Sequence, residues 1–228
     1  MIPGHIKKDG DDKENKPISF QLISLPPEDV LKRKIEHWAF FSERRDKIED
    51  LRKFILAEQP EKALVFTAQT GQVEHIASRL QYRGVACSAL HAKMSKLDRK
   101  KNLDAFRSGK TKILITSDLS ARGLDIPDIT HIIQMDVSDN EDFFIHRAGR
   151  TARAGKTGIN AVFGDERELR ELARIEKKLG IIIYPKIMYG AGYVPLNRMK
   201  PFNKIPRRRA GQTFGLRYFS LPWNWSRV

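Results

Sequence analysis

The chain has 228 residues, 40% hydrophobic and 31% charged, which suffices for one domain with its own core plus extensions. Against 28 Asp and Glu stand 42 Lys and Arg, and the net charge of +14 favours a polyanionic partner, nucleic acid first and an anionic membrane surface well behind it. The single cysteine, Cys87, excludes an internal disulfide, no Cys/His cluster has zinc spacing and no apolar run is long enough to span a bilayer. A cytoplasmic protein with no membrane association and no structural metal is expected.

In chain order, the stretch to Pro17 lacks apolar periodicity and reads as a disordered lead-in, followed by a short strand at Phe20–Leu25 that Pro26 and Pro27 stop. Alternation over Ile35–Phe41 predicts an extended edge segment or a first strand. Ser42 is then expected to cap a helix carrying Ile48, Leu51 and Ile55 as far as Pro60. From Lys62 strands and helices alternate. Strands are predicted at Lys62–Phe66, Val85–Leu90, Lys112–Thr116, Ile129–Met135, Ile159–Phe163 and Ile181–Met188. Between them come a helix over Thr70–Arg83 stopped by Gly84, one opened by Ser95 and Asp98 as a capping box and closed by Gly109, and one over Asp165–Leu179. This order predicts an α/β fold, a parallel sheet with helices on both faces.

From Lys177 onward the chain carries eleven basic residues and no Asp or Glu, interleaved with Phe202, Phe214, Tyr218, Phe219, Trp223 and Trp225. Cations neutralise phosphates and rings stack on unpaired bases, so a tail that grips RNA stands beside a solubilising end or aromatic residues that fold back onto the domain. Ser108-Gly109-Lys110-Thr111 looks like a phosphate loop, but a helix precedes it and a strand follows, the reverse of what such a loop needs. Cys87 falls inside a predicted buried strand and reads as a core thiol.

The stretch Thr116–Gly155 organises the rest. Polar clusters follow two predicted strands, at the carboxyl edge where open α/β sheets bind ligands. They bring Arg122, Asp125, Arg150 and Arg153 to one rim. A transferring phosphoryl group spreads negative charge over its oxygens, and a guanidinium answers it with forked, permanently charged donors. Arg150 and Arg153 point the same way if they share one helical turn. Asp125 is suited to accept from a ribose hydroxyl.

Arg122-Gly123-Leu124-Asp125 and His146-Arg147-Ala148-Gly149-Arg150-Thr151-Ala152-Arg153 resemble motifs V and VI of the superfamily 2 helicases, specifically the DEAD-box ATP-dependent RNA helicases. His146 is the discriminating residue, since related DNA helicases and DEAH-type enzymes usually have Gln there. Leu64-Val65-Phe66 resembles motif IV, and Leu90-His91 through Arg99 the RNA-contacting segment after it. The resemblance runs from roughly Lys34 to Pro185 and implies the RecA-like fold of the second helicase domain. It divides the chain into residues 1–33, a disordered lead-in or linker from a missing first domain, residues 34–188, the helicase domain, and residues 189–228, the basic, aromatic tail.

The resemblance also implies roles. Arg150 and Arg153 would be arginine fingers on the phosphates of ATP, with Asp125 on the ribose. Thr116 and Gly123 would meet the RNA backbone, with Arg99 and Lys96 beside them. Arg122, His146 and Arg147 would couple this domain to an acidic motif on a first RecA-like domain, which also supplies the phosphate loop and the Mg2+ ligands. The expected partners are RNA, with little sequence preference, and that first domain; the chain alone is expected to be inactive. Lys96 stands where the family usually has Gln, Ala92 and Ala152 where it has Gly, and Gln69 where it has Thr. Two alternatives remain beside this reading: a stand-alone RNA-binding module, and half of a superfamily 2 DNA helicase.

Overall fold

A computed structural model describes Asp29, Leu31, Lys32 and residues 34–138, 140–190 and 192–195. The strand expected at Phe20–Leu25 and the tail beyond Pro195 lie outside the described residues. Among the described residues eight strands form one sheet: β1 (Ile35–Phe41), β2 (Ala63–Phe66), β3 (Cys87–Leu90), β4 (Ile113–Thr116), β5 (His131–Gln134), β6 (Gly158–Gly164), β7 (Ile183–Tyr189) and β8 (Gly192–Pro195). Their spatial order is β3-β4-β2-β5-β6-β1-β7-β8, and every pairing is parallel except β7 with β8. The connecting helices are α1 (Lys47–Glu58), α2 (Thr70–Tyr82), α3 (Lys96–Arg107), α4 (Asp118–Ala121), α5 (Glu141–Ala148) and α6 (Glu166–Leu179).

β1 is a first strand and not an edge segment. It lies between β6 and β7, pairing with β6 from Ile35↔Gly158 to Phe41↔Gly164. Both of its faces are covered: Trp38 and Phe40 join the core formed with α1 and α2, while Ile35 and Ala39 join the one formed with α5 and α6. A third core beneath α3 gathers Leu64, Phe66, Leu103, Phe106 and Ile132. Helices thus cover both faces, as the alternating pattern requires. The spacing also selects the right inward residues on α2, namely Val73, Ile76, Ala77 and Leu80, and Gly84 follows at φ +81°.

Ser42 does not cap α1. The helix starts at Lys47 with Asp46 before it, while Ser42 donates its hydroxyl to Asp50 at 2.7 Å and its backbone N–H to Gly164 at 2.9 Å, tying β1 to β6. Ser95 does cap α3, accepting from the Asp98 N–H at 3.1 Å, but the Asp98 carboxylate takes the Ser95 hydroxyl at 2.7 Å. The reciprocal capping box opens α6 instead: Asp165 accepts from the Glu168 N–H at 3.0 Å and Glu168 from the Asp165 N–H at 2.8 Å.

The sheet also continues past residue 188, where the sequence suggested that the tail begins. Gly190, at φ +61°, turns the chain back so that β8 pairs antiparallel with β7. Tyr193 packs on Trp38 at 5.4 Å and Phe40 at 5.6 Å between ring centroids, and its hydroxyl donates to Glu58. Burial and the Glu58 carboxylate push that phenol well above its ordinary range.

Candidate nucleotide and RNA site

Because β4, β2 and β5 are adjacent, the loops leaving Thr116, Phe66 and Gln134 emerge side by side at the carboxyl edge. Arg147, on the last turn of α5, holds them together. Its Nε and Nη2 donate to Asp118 at 2.7 Å and 2.6 Å. Its Nη1 donates to the Asp136 carboxylate and carbonyl, both at 3.1 Å, and to Gln134 at 3.3 Å. The guanidinium carbon stands 5.7 Å from the centre of the Phe66 ring. Burial alone would lower its pKa, but the Asp118 and Asp136 carboxylates outweigh it and hold the proton more tightly than usual. Asp136 meanwhile accepts from the Ala68 N–H at 2.6 Å. The side chain is 2% exposed. In this domain the Arg147 donors are therefore engaged internally, by Asp118, Asp136 and Gln134. Nothing in its own motif signals this, because Asp118 and Asp136 follow two other strands, β4 and β5.

Arg150 and Arg153 do not share a helical turn. α5 ends at Ala148, and both arginines lie in the turn-rich segment that follows. They converge nonetheless. Arg150 Nη1 donates to the Leu124 carbonyl at 3.1 Å, and Arg153 Nη1 pairs with the Asp125 carboxylate at 3.0 Å while its Nε donates to the Gly149 carbonyl at 3.3 Å. Burial and the neighbouring Arg153 lower the Arg150 pKa, opposed by Asp125. Asp125, 92% exposed, and Arg153, 42% exposed, face outward.

The loop carrying them has two non-glycine residues in the left-handed region, Ala152 at φ +56° and Ala154 at φ +52°. Its seat is close to β6: Thr151 is buried and donates its hydroxyl to the Ile129 carbonyl. A Cβ on Gly158 would stand 2.1 Å from the Thr151 Oγ1, so this strand passes the loop only as glycine.

The RNA-contact candidates group beside it. Arg99 reaches across from α3 to the Ser120 carbonyl at 3.1 Å, joining that helix to α4. Lys96 is exposed at the start of α3, and Gly123 is exposed at φ +71°. Thr116 is fully buried, with its hydroxyl donated to the Ser117 carbonyl at 3.3 Å, so its side chain is not offered to a ligand. Arg122 and His146 are exposed. A cavity of about 470 Å³ opens between Ala68, Ser117, Leu119, Arg122 and Phe143, with Arg147 at its wall. Among the described residues no group of three or more His, Cys, Asp or Glu is arranged to hold a metal. Cys87 is buried, and burial pushes its thiol up to about 11, which suits a core thiol. Ser108–Thr111 lies between α3 and β4.

Residues 46–155 match the helicase conserved C-terminal domain. The DEAD-box ATP-dependent RNA helicase CshC of Bacillus cereus is 37% identical over 172 residues, which is 75% of this chain and 44% of that protein. This is a DEAD-box helicase C-terminal domain. CshA of Geobacillus kaustophilus is 31% identical over 77% of this chain and 37% of its own length, so the chain spans less than half of the curated relatives named here. The helicase domain superposes on E. coli DEAD-box protein SrmB bound to regulator of ribonuclease activity A with a TM-score of 0.65 and 25% identity, covering 69% of this chain and 93% of that one. It superposes on S. cerevisiae Dbp5 bound to RNA and ADP BeF3 with a TM-score of 0.64 and 25% identity, covering 72% and 44%. The matched segment holds both arginine motifs of the helicase domain, whereas β1, β6, β7 and β8 complete its sheet from outside that segment. No helix among the described residues is long and apolar enough to cross a membrane.

Proposed function

We propose that this helicase domain is the second half of an ATP-dependent RNA helicase working in the cytoplasm, completing an ATP site with arginine fingers and gripping the RNA backbone during duplex unwinding or RNP remodelling. The observation that carries the reading is the convergence of Arg150 and Arg153 on the Leu124–Asp125 segment, at 3.1 Å and 3.0 Å. The residues suit a nucleoside triphosphate. Asp125 would take the ribose, and Arg150 and Arg153 would neutralise charge on the phosphates as it spreads in the transition state. The bound ATP and its Mg2+ supply the reacting phosphoryl group and the metal's polarisation of it; the metal ligands and phosphate loop belong to a first RecA-like domain in cis or in trans. Arg99, Lys96 and the Gly123 backbone would meet RNA phosphates, a mode with little sequence preference and strong salt dependence. Arg122, which lines one cavity with Asp118, and the exposed His146 remain suited to coupling the two domains.

The test is RNA-stimulated ATP hydrolysis by the chain alone and after mixing with a DEAD-box first domain. Silence alone, turnover on mixing, and a loss of about a thousandfold or more in Arg150→Ala are expected. Normal turnover in that variant would sink the finger assignment. A second reading, a binding module without catalysis, draws on the eleven basic residues from Lys177 onward. It requires that removing residues 199–228 abolish RNA binding while Arg150→Ala leaves it intact. A preference for DNA over RNA as the stimulating strand would move the assignment to a DNA helicase.

A further inference from the structure

Several surface cations are paired with carboxylates. Arg52 pairs with Glu49, Lys156 with Asp128, Arg170 with Glu166, Arg174 with Glu171 and Lys178 with Glu141. Between residues 93 and 112 stand Lys93, Lys96, Arg99, Lys100, Lys101, Arg107, Lys110 and Lys112, against only Asp98 and Asp104. Among the described residues none of these eight cations forms an ion pair. The Asp98 carboxylate is engaged by the Ser95 hydroxyl at 2.7 Å.

α3 orders part of this charge into a line. Its inner side is fixed by buried Leu103 and Phe106, by Asn102 donating to the Ala89 carbonyl at 2.8 Å and by Arg99 on Ser120. At about 100° per residue, Lys96, Lys100 and Arg107 fall within about 40° of one another on the exposed surface, over a rise of about 16 Å. Lys110 and Lys112, both exposed, carry the charge past Gly109 to the amino end of β4. The stripe begins at Lys96, inside the proposed RNA grip, and runs away from it to the opposite edge of the sheet.

We infer that the exposed flank of α3 is a second RNA-binding track, in which Lys100 and Arg107 neutralise backbone phosphates of a strand continuing beyond the rim. The inference rests on the proposed RNA reading of Lys96 and Arg99. Continuity with that grip selects RNA over an acidic peptide. The absence of any aromatic residue among the exposed positions of α3 makes the contact one of charge and not of base stacking. At about 3.4 Å per stacked nucleotide the helical part of the stripe spans roughly five nucleotides.

The test is binding of the full chain to two labelled single-stranded RNAs of one composition, one just filling the rim and one about six nucleotides longer at either end, over a salt series. Three variants are compared: Arg99→Ala at the rim, the pair Lys100→Glu and Arg107→Glu on the track, and the pair Arg170→Glu and Arg174→Glu on α6, which makes the same charge change elsewhere. The long RNA should bind about tenfold more tightly than the short one, and the track pair alone should erase that advantage and flatten the salt slope by about 1.4, two single-strand phosphate contacts. Equal binding of both RNAs, an advantage that survives the track pair, or equal damage from the α6 pair would overturn the track. So would displacement of the long RNA by a polyglutamate peptide at matched charge. Failure of the short RNA to bind, with Arg99→Ala silent, would overturn the rim reading instead; the track then stands only if the long RNA still binds and still needs Lys100 and Arg107.

Discussion

Single residues carry two kinds of stored cost. Ala154 is exposed and held at φ +52°, a conformation that costs an L-residue about 1 kcal/mol or more and glycine almost nothing. Ala154→Gly should therefore raise the stability of the domain by about 1 kcal/mol, read as a higher urea midpoint with an unchanged slope; a lower midpoint would show that unfolded-state entropy outweighs the relief. Ala152 shares the conformation at φ +56°, but its methyl is buried in the core beside Phe144 and Leu172, so the same change there gives up packing as it relieves the backbone.

The second cost is protonic. His37 is 2% exposed, donates Nε2–H to the Leu31 carbonyl at 3.0 Å and accepts at Nδ1 from Asn160 at 3.1 Å, an arrangement that only the neutral ring satisfies. Burial lowers its pKa from 6.5 to about 4, against the opposing pull of the Leu31 carbonyl. As pH falls the unfolded chain takes up the proton first, so stability present above 6.5 is lost progressively toward 4. Between about pH 7 and about pH 5 this one group should cost on the order of 2 kcal/mol. His37→Gln should remove most of that drop in paired denaturation curves, and a drop of undiminished size would assign the acid sensitivity elsewhere.

Among elements, the loop after α5 depends on the strand beneath it. Gly158→Ala would force the Thr151 hydroxyl from a position 2.1 Å away, and with it the hydrogen bond to Ile129 that seats the loop. A destabilisation of about 1–3 kcal/mol is expected. ATP turnover in the mixed system should fall further than that loss of folded protein explains, because Arg150 and Arg153 ride on the same loop. Equal falls in folded fraction and turnover would show that the loop finds its place without Thr151. Arg147 supports the other side: Arg147→Met leaves Asp118 and Asp136 without their shared cation and should cost about 3–5 kcal/mol by chemical denaturation. A neutral outcome would show that the two carboxylates rehydrate freely.

For the whole molecule, what was legible followed from locality. The helix faces, the glycine stops and the two arginine motifs are each written within a dozen residues, and the structure keeps them together at the carboxyl edge. The internal bonding of Arg147 was not legible because Asp118 and Asp136 follow β4 and β5, which flank β2 only through the strand order. β8 escaped notice because Gly192–Pro195 is too short for alternation to show and opens the stretch that otherwise reads as tail. The Asp165–Glu168 box could have been found from its spacing; the Ser95–Asp98 pair had the same spacing and used it differently.

The position of β1 sets the order in which such a chain becomes a protein. Its neighbour β6 is joined to it across 123 residues, as in the His37–Asn160 hydrogen bond, and β7 lies further on still. Closing so long a segment is slow before the first contact repays it. On the ribosome, β1, the first of the described strands to emerge, must therefore wait for its partners until the arginine loop and the strand after it have been made, and the arginine rim and the centre of the sheet become native in one late step.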